Sequence, residues 1–289
     1  MMQEDFGLIS IIMAAYNAEQ TIEQAINSVL SQTYTNFELL VVNDCSKDRT
    51  VELVKKIAAK DGRVRLISNV KNSGVSYTRK HGLEEAKGSW IAILDSDDAW
   101  APEKLEKQID LQRRTNADLL FTGSAFMDSE GQSIDWHLHA PAEVTYRQLL
   151  KQNVLSNSSA LVRKELYAKH YAIGDGMHED FAIWLSILKK GTKAYGVDEP
   201  LLIYRIAKSS KSGNKVKAAR MNWNTYRYVG LNPIEAAYYE GWYMIKNVIK
   251  YTNLKISGGG GVWNEVIYIA SFDILVFPEQ LHEEQLEAA

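Results

Sequence analysis

The sequence of 289 residues is 46% hydrophobic and 24% charged with a formal net charge of −3, which excludes global disorder and allows a full core. The single cysteine, Cys45, excludes an intrachain disulfide and is typical of a reducing compartment. No apolar run is long enough to predict a transmembrane helix, the first residues lack a signal-peptide pattern, and we expect a cytoplasmic protein.

Strand and helix patterns alternate along the first hundred residues. Apolar runs predict strands at residues 9–13, 37–42, 64–67 and 91–94. Helical spacing of apolar residues predicts helices at residues 21–32, from Asp48 or Thr50 onward, and at 75–86. This alternation predicts an α/β fold with a mostly parallel sheet and helices on both faces.

The second half of the chain is less regular. Its patterns predict a strand at 118–123, a turn at 128–132, helices at 145–152 and 179–189, strands at 194–197 and 201–204, and a helical region at 215–251 broken near 230–233. We expect three segments: a catalytic domain at 1–212, a basic aromatic helical region at 213–256, and a glycine linker with a tail at 257–289. A docking segment and a cloning remnant are both compatible with that tail.

Polar clusters follow the predicted strands at residues 15–17, 43–46, 69–74 and 95–98. Parallel strands bring their carboxyl ends to one edge of the sheet, where α/β proteins bind ligands. The last cluster holds Asp95, Asp97 and Asp98, which would repel one another unless a cation lay among them. Mn²⁺ or Mg²⁺ is the natural candidate; a solvated acidic turn that caps a helix is the alternative.

The ordered set of clusters resembles the family 2 glycosyltransferases, which have the GT-A fold. The resemblance covers about residues 7–210. Within the family, the chain is similar to bacterial transferases that build surface polysaccharides, such as the teichuronic acid type. The matching pieces are Ser10 to Asn17, Val42-Asn43-Asp44-Cys45-Ser46, Asn72-Ser73-Gly74 leading to Arg79, Leu94-Asp95-Ser96-Asp97-Asp98, His178-Glu179-Asp180 and Tyr204-Arg205.

The resemblance implies a nucleotide site at the first strand ends. Tyr16 would lie against the base, helped by backbone groups of Ala15, and Asp44 would accept a hydrogen bond from the imide N–H of uracil. Arg79 would neutralise charge near the base or phosphates. A core tyrosine, a capping aspartate and a surface arginine are the respective alternatives.

The resemblance places Asp95 and Asp97 with the nucleotide, and Asp97 and Asp98 with a metal that bridges the diphosphate. Which of the three is the direct ligand stays open. The implied reaction is inverting transfer from a UDP-sugar to a glycan or lipid-linked saccharide acceptor.

Asp180 would be the catalytic base that takes the proton of the acceptor hydroxyl. Its place before an apolar helix also suits a plain N-cap. His178, Glu179, Tyr204 and Arg205 are candidates for acceptor or diphosphate contacts. Residues 208–213 form a polar segment that could close over the diphosphate, although a solvated basic loop would look the same.

Charge is unevenly distributed. Residues 201–256 carry ten lysines or arginines and two glutamates, so this stretch is +8 and the remainder is −11. Interleaved tyrosines and tryptophans predict peripheral contact with the inner membrane face, or simple packing of helices onto the catalytic domain. Nucleic acid is not expected, because the acidic edge would oppose it.

Three other functions compete with the transferase. A sugar-nucleotide nucleotidyltransferase would normally carry a glycine-rich basic loop after the first strand, and residues 14–20 contain no glycine, lysine or arginine. A catalytically silent nucleotide-binding module would not need the intact carboxylates. A receiver-type phosphoacceptor domain on Asp44 would fit only the first part of the chain.

Overall fold

The structure is a computed structural model that describes residues 6–174, 176–206 and 215–256. The predicted alternation is confirmed in the first half of the chain. Its elements are β1 (Ile9–Ala15), α1 (Ile22–Leu30), β2 (Phe37–Asn43), α2 (Thr50–Ala58), β3 (Val64–Ser68), α3 (Val75–Glu85), β4 (Trp90–Ile93), β5 (Ala99–Trp100) and α4 (Lys104–Thr115).

The second half adds shorter strands and the helices that cover one face. Its elements are β6 (Leu119–Met127), β7 (Ser133–Leu138), β8 (Glu143–Val144), α5 (Tyr146–Lys151), a 3₁₀ turn (Asn157–Ser159), β9 (Leu161–Arg163), α6 (Lys164–Lys169), α7 (Glu179–Leu188), β10 (Ala194–Arg205), α8 (Lys215–Tyr228) and α9 (Pro233–Ile256). The predicted tail at 257–289 and the segment at 208–213 lie outside the described residues.

The strands form one mixed sheet in the order β3-β2-β1-β4-β9-β6-β10-β5, with β7 on β6 and β8 on β10. β1 pairs in parallel with both β2 and β4. The ends of these three strands, which we call the carboxyl edge, therefore lie side by side. β9 runs antiparallel between β4 and β6 and joins the two halves of the sheet.

The two strands predicted at 194–197 and 201–204 are one strand, β10. Its pairing with β6 shifts register around Pro200, because proline has no N–H to donate to the ladder. Gly123 lies opposite this bulge, where an added Cβ would come within 2.8 Å of the Glu199 carbonyl oxygen. The bulge lets β10 continue to Arg205 at the carboxyl edge.

Alternation along the strands builds two cores. On β1, Ile11 and Met13 pack with α1, α2 and α4 on one face, whereas Ile12 packs with α3 and α7 on the other. The core on the side of α3 and α7 also includes Tyr226 of α8 and Ala236 of α9. The predicted helical region is confirmed as two helices separated at Gly230, whose φ of 86° suits a helix end.

Within the described residues, no helix has both the length and the apolar character that a membrane crossing requires.

Candidate active site

Asp44 follows β2 and organises the loop before α3. Its side chain is only 4% exposed. Oδ1 accepts hydrogen bonds from Asn69 Nδ2 at 2.8 Å and from Ser73 N at 2.9 Å, and Oδ2 accepts one from Gly74 N at 2.9 Å. These three donors offset the cost of burying the carboxylate. Asp44 therefore fixes the start of α3 as well as facing the carboxyl edge.

Tyr16 follows β1 and presents an exposed ring, with 52% of its surface accessible. The Ala15 carbonyl accepts a hydrogen bond from Asp44 N at 2.9 Å, so the β1 and β2 ends are tied together. Asn17 adds two ties, donating from N to Ser46 Oγ at 3.0 Å and accepting from Lys47 N at 2.8 Å. The loop that carries Tyr16 is thus held by hydrogen bonds. Because the ring is exposed, the alternative of a core tyrosine is excluded.

The three aspartates after β4 have different surroundings. Asp97 is exposed, Asp95 is half-buried and Asp98 is 2% exposed. Burial raises the pKa of Asp98 well above its usual range, and the negative charges of Asp97 and Asp95 raise it further. Although part of its side chain is exposed, the Asp97 carboxylate is partly desolvated by the surrounding loop, which together with the charge of Asp95 raises its pKa; Arg205 and Arg79 oppose this. The cluster has excess negative charge that the described protein does not neutralise.

Asp98 is the residue of this cluster that best fits a cation. Its Oδ1 accepts a hydrogen bond from Arg205 N at 3.0 Å. Its Oδ2 is buried and has no hydrogen-bond partner, an arrangement that is costly without a ligand. Among the described residues, no group of three or more histidines, cysteines or carboxylates forms a complete metal centre. A bound cation would need further oxygen ligands, such as those of a diphosphate.

Arg205 braces this cluster through the backbone. Its Nε donates to the Asp97 carbonyl at 2.8 Å, its Nη1 donates to the Asp128 carbonyl at 3.2 Å, and its Nη2 donates to Gln24 Oε1. The guanidinium therefore positions the acidic loop, and its contact with acceptor or diphosphate stays a prediction. Tyr204 on β10 is exposed, and its ring lies 5.9 Å from that of Phe126.

Arg79 joins the acidic cluster to α7. Its Nη2 lies 2.5 Å from Asp95 Oδ1, and its Nη1 lies 2.7 Å from Glu179 Oε1. Burial disfavours its charge, but Asp95 and Glu179 outweigh burial and raise the pKa of Arg79. Arg79 is buried on α3, which excludes a surface helix position. The two ion pairs join the acidic cluster and the start of α7 in one assembly.

Asp180 lies in the first turn of α7. Its Oδ1 accepts a hydrogen bond from Phe181 N at 2.8 Å, and the side chain is half-buried. The neighbouring Glu179 has a pKa raised by burial and by the charge of Asp180, with Arg79 opposing. His178 is the N-cap residue, and its N–H donates to Thr225 Oγ1 at 3.0 Å. The helix N-terminus favours a charged carboxylate here.

Sequence reasoning missed the residues that support these groups. Ser158 in the 3₁₀ turn accepts a hydrogen bond from Asp95 N at 3.1 Å, and its carbonyl accepts one from Trp100 Nε1 at 2.7 Å. The polar run Asn157-Ser158-Ser159 before the apolar β9 was the only signal for this turn. The role of Glu179 as the partner of Arg79 had no local signal, since the two are 100 residues apart.

Comparison with known proteins decides the family. The sequence profile described as Glycosyl transferase family 2 matches residues 10–171. This chain belongs to that family. The glycosyltransferase is 36% identical over 222 residues to TuaG of Bacillus subtilis (strain 168), named for teichuronic acid biosynthesis, covering 77% of this chain and 88% of that protein.

A second relative of the glycosyltransferase is WfgD of Escherichia coli. That protein is named a UDP-Glc:alpha-D-GlcNAc-diphosphoundecaprenol beta-1,3-glucosyltransferase. The two chains are 35% identical, with coverage of 86% of this chain and 96% of that protein. The match extends beyond the profile into the second half of the chain.

Solved structures show that the glycosyltransferase has the predicted GT-A fold. The structure of Staphylococcus aureus TarS 1–349 with UDP-GlcNAc superposes with a TM-score of 0.65 at 17% identity, covering 91% of this chain and 80% of that one. The mannosyltransferase PcManGT of Pyrobaculum calidifontis, in complex with GDP-Man and Mn²⁺, gives a TM-score of 0.64 at 15% identity, covering 93% and 80%.

Proposed function

We propose that this glycosyltransferase transfers a sugar, with inversion, from a UDP-sugar to a hydroxyl of a glycan or lipid-linked acceptor in surface polysaccharide biosynthesis. One observation carries the proposal: Arg79 links Asp95 of the acidic cluster to Glu179, the residue next to Asp180. A donor site and a candidate base therefore lie in one ion-paired assembly, as a direct displacement requires.

The choice of uracil rests on Asp44. A carboxylate has about four lone-pair sites and only accepts hydrogen bonds. Three of these sites on Asp44 are filled by Asn69, Ser73 and Gly74, and Oδ2 retains one. That site suits a ring N–H such as the imide of uracil, with Tyr16 against the base. TarS is named with UDP-GlcNAc, whereas PcManGT is named with GDP-Man, so the fold by itself does not choose the base.

The residues at the acidic cluster fit Mn²⁺ or Mg²⁺, held by Asp98 and Asp97. The unpartnered Oδ2 of Asp98 supports this assignment. When bound, the cation would supply charge that offsets the departing diphosphate. Asp95 lies nearer the nucleotide in this proposal, with its charge already shared with Arg79.

Asp180 serves as the base for the acceptor hydroxyl. The Asp180 side chain is half-buried in the first turn of α7, whereas the neighbouring Glu179 is already paired with Arg79. His178, which precedes Asp180, and Tyr204 on β10 are the candidate acceptor contacts in this proposal. An Asp180→Asn variant is expected to lower kcat by about 10²- to 10⁴-fold while UDP still binds. A kcat equal to that of the native chain would contradict the assignment of Asp180 as the base.

The decisive experiment is calorimetric titration of UDP with and without Mn²⁺, beside GDP, followed by turnover of UDP-sugars. We expect UDP to bind in a metal-dependent way and GDP to bind more weakly. Preference for GDP would overturn the role of Asp44. Metal-dependent UDP binding with no turnover of any UDP-sugar would instead indicate a silent binding module.

On α9 we propose peripheral contact with an anionic lipid surface. Ile234, Tyr238, Trp242 and Ile245 follow one another at intervals of four, four and three, so they share one face of the helix. Ile234 is 82%, Tyr238 55% and Ile245 52% exposed.

Cations flank this apolar stripe. Lys151 Nζ lies 5.0 Å from the centre of the Trp242 ring. Both residues and Lys246 line one pocket with a volume of about 590 Å³. Aromatic rings and lysines suit an anionic headgroup layer. The name of WfgD includes a lipid-linked acceptor, which is consistent with work at a membrane.

Vesicle sedimentation tests the contact. The protein should pellet with vesicles rich in phosphatidylglycerol and remain in solution with phosphatidylcholine alone. A Tyr238→Ser, Ile245→Ser double variant should pellet less. Tyr228→Ser is the matched control, because Tyr228 is 53% exposed on α8 and outside the stripe. Equal loss in both variants, or no binding by the native chain, would refute the lipid contact.

A further inference from the structure

The loop before α7 is held by two neighbouring residues of α8. Asn224 Nδ2 donates to the Gly176 carbonyl at 2.7 Å, and the His178 N–H donates to Thr225 Oγ1 at 3.0 Å. Thr225 is fully buried, and its hydroxyl donates to the Met221 carbonyl at 2.9 Å. Because the hydroxyl proton is committed to Met221, the oxygen is oriented to accept from His178.

The last residues of α8 and Val229, which follows it, form hydrogen bonds to α5 and to the end of α7. Lys189 Nζ, just after α7, donates to the Val229 carbonyl at 2.5 Å. Tyr226 OH donates to the Leu150 carbonyl at 2.7 Å, and the Tyr226 ring lies 5.9 Å from that of Phe181. The two helices are therefore tied at both ends of α7, and Thr225 lies at the end that carries Asp180.

His178 decides where α7 begins. Its carbonyl accepts the hydrogen bond of Ala182 N at 2.9 Å, and Glu179 and Asp180 follow directly. Movement of the His178 peptide would turn the first helical residues and redirect the Asp180 carboxylate. The ion pair with Arg79 fixes the Glu179 side chain. The hydrogen bond to Thr225 of α8 fixes the N–H of His178, the residue before Glu179.

We propose that Thr225 is a positioning residue for catalysis, which holds the His178 peptide so that Asp180 faces the acceptor hydroxyl. The proposal rests on the proposed function, since it assigns Thr225 to the orientation of the base. Thr225 does not touch the substrate, and the basic aromatic helical region thereby becomes part of the catalytic apparatus.

The test compares Thr225→Val with Thr225→Ser. Valine keeps the shape of threonine but leaves the His178 N–H without its acceptor, and misplacement of a catalytic group lowers kcat by about 10- to 100-fold. We expect this loss with the dissociation constant of UDP changed by less than about twofold, because the donor edge is untouched. Serine retains the hydroxyl and should retain kcat within about twofold.

Thr115→Val is the matched control. Thr115 Oγ1 donates to the Leu111 carbonyl at 2.8 Å in α4, so this variant removes a similar helix hydrogen bond far from α7. Its kcat should equal that of the native chain. An equal fall of kcat in Thr115→Val and Thr225→Val would overturn the proposal, as would a Thr225→Val variant with native kcat.

Asn224→Ala keeps the proposal testable if the valine variant does not fold, because Asn224 is only partly covered and its loss removes the Gly176 contact alone. It should lower kcat by a smaller factor with UDP binding intact; native kcat in this variant would count against the proposal. If the native chain turns over no UDP-sugar, the proposed function fails. If Asp180→Asn is inactive and the α8 variants are fully active, only the present inference fails.

Discussion

Asp44 and Asp98 are buried aspartates at the ends of β2 and β4, the two strands that flank β1, yet their surroundings are opposite. Asp44 receives three hydrogen bonds from the loop at residues 69–74. Asp98 receives one from the Arg205 amide, the nearby Ser158 hydroxyl opposes the rise that burial causes in its pKa, and its Oδ2 has no hydrogen-bond partner. The comparison shows that burial alone does not mark a ligand site. The number of donors that the protein supplies separates a carboxylate that builds a loop from one that is available to a cation.

The largest expected effect comes from Asp98→Asn. Asparagine can still accept from the Arg205 N–H and removes a negative charge from the acidic cluster. We expect kcat/KM to fall by at least about 100-fold, because the proposed cation, whose charge would offset that of the departing diphosphate, would lose a carboxylate ligand. The same variant, measured without metal by urea denaturation at pH 8, should be more stable by about 1 kcal/mol or more, since one buried negative charge beside Asp95 and Asp97 is removed.

Asp110→Asn is the control for this variant. Asp110 lies on the exposed surface of α4, 3.5 Å from Arg113. It should change neither activity nor stability by a measurable amount. If Asp98→Asn destabilised the metal-free protein, the contrast with Asp44 would be wrong, because Asp98 would then be held as well as Asp44 is.

Asp44→Asn should have the opposite effect on stability. Asparagine has one accepting oxygen, and its amide group would face the donors that now bind the carboxylate. We expect a loss of about 1 to 3 kcal/mol in the free energy of unfolding, together with weaker UDP binding. Urea denaturation measures the first and calorimetry the second, again beside Asp110→Asn. A fully stable Asp44→Asn variant would show that the loop at 69–74 does not depend on this carboxylate.

Glu240 on α9 extends the comparison to a third carboxylate, for which we expect an effect on the pH dependence of stability and none on activity. Burial raises the pKa of Glu240 to about 7, which the hydrogen bond from Asn222 Nδ2 at 2.7 Å opposes. The folded state therefore holds the proton more tightly than the unfolded chain, whose value is near 4.5. This contribution to stability is fully present below about pH 4.5 and is lost as the pH rises through about 7.

Glu240→Gln should remove this pH dependence. Between pH 5 and pH 8 the native chain should lose no more than about 3 kcal/mol of stability relative to the variant. Denaturation at a series of pH values measures the difference. Glu235→Gln, at an exposed position on the same helix, should follow the native curve. Parallel curves for the native chain and Glu240→Gln would mean that this carboxylate has no role in the pH dependence of stability.

Local patterns predicted the first half of the fold well. Short continuous apolar runs identified β1 to β4, and the strand ends placed Asp44 and Asp95 at one edge because parallel strands share a direction. The second half was harder. β5, β8 and β9 are two or three residues long, which is too short for a periodic pattern, and the bulge at Pro200 made β10 look like two strands.

The sequence by itself determined the family, the α/β alternation and the residue types at the carboxyl edge, because these depend on residues close together in the chain. Tertiary structure alone decided which of those residues have hydrogen-bond or ion-pair partners in the protein and which do not. Arg79 meets Asp95 and Glu179, Arg205 braces the Asp97 backbone, and Thr225 holds the His178 peptide. Each of these contacts joins segments 16 to 108 residues apart, and such pairs leave no periodic signal in a single sequence.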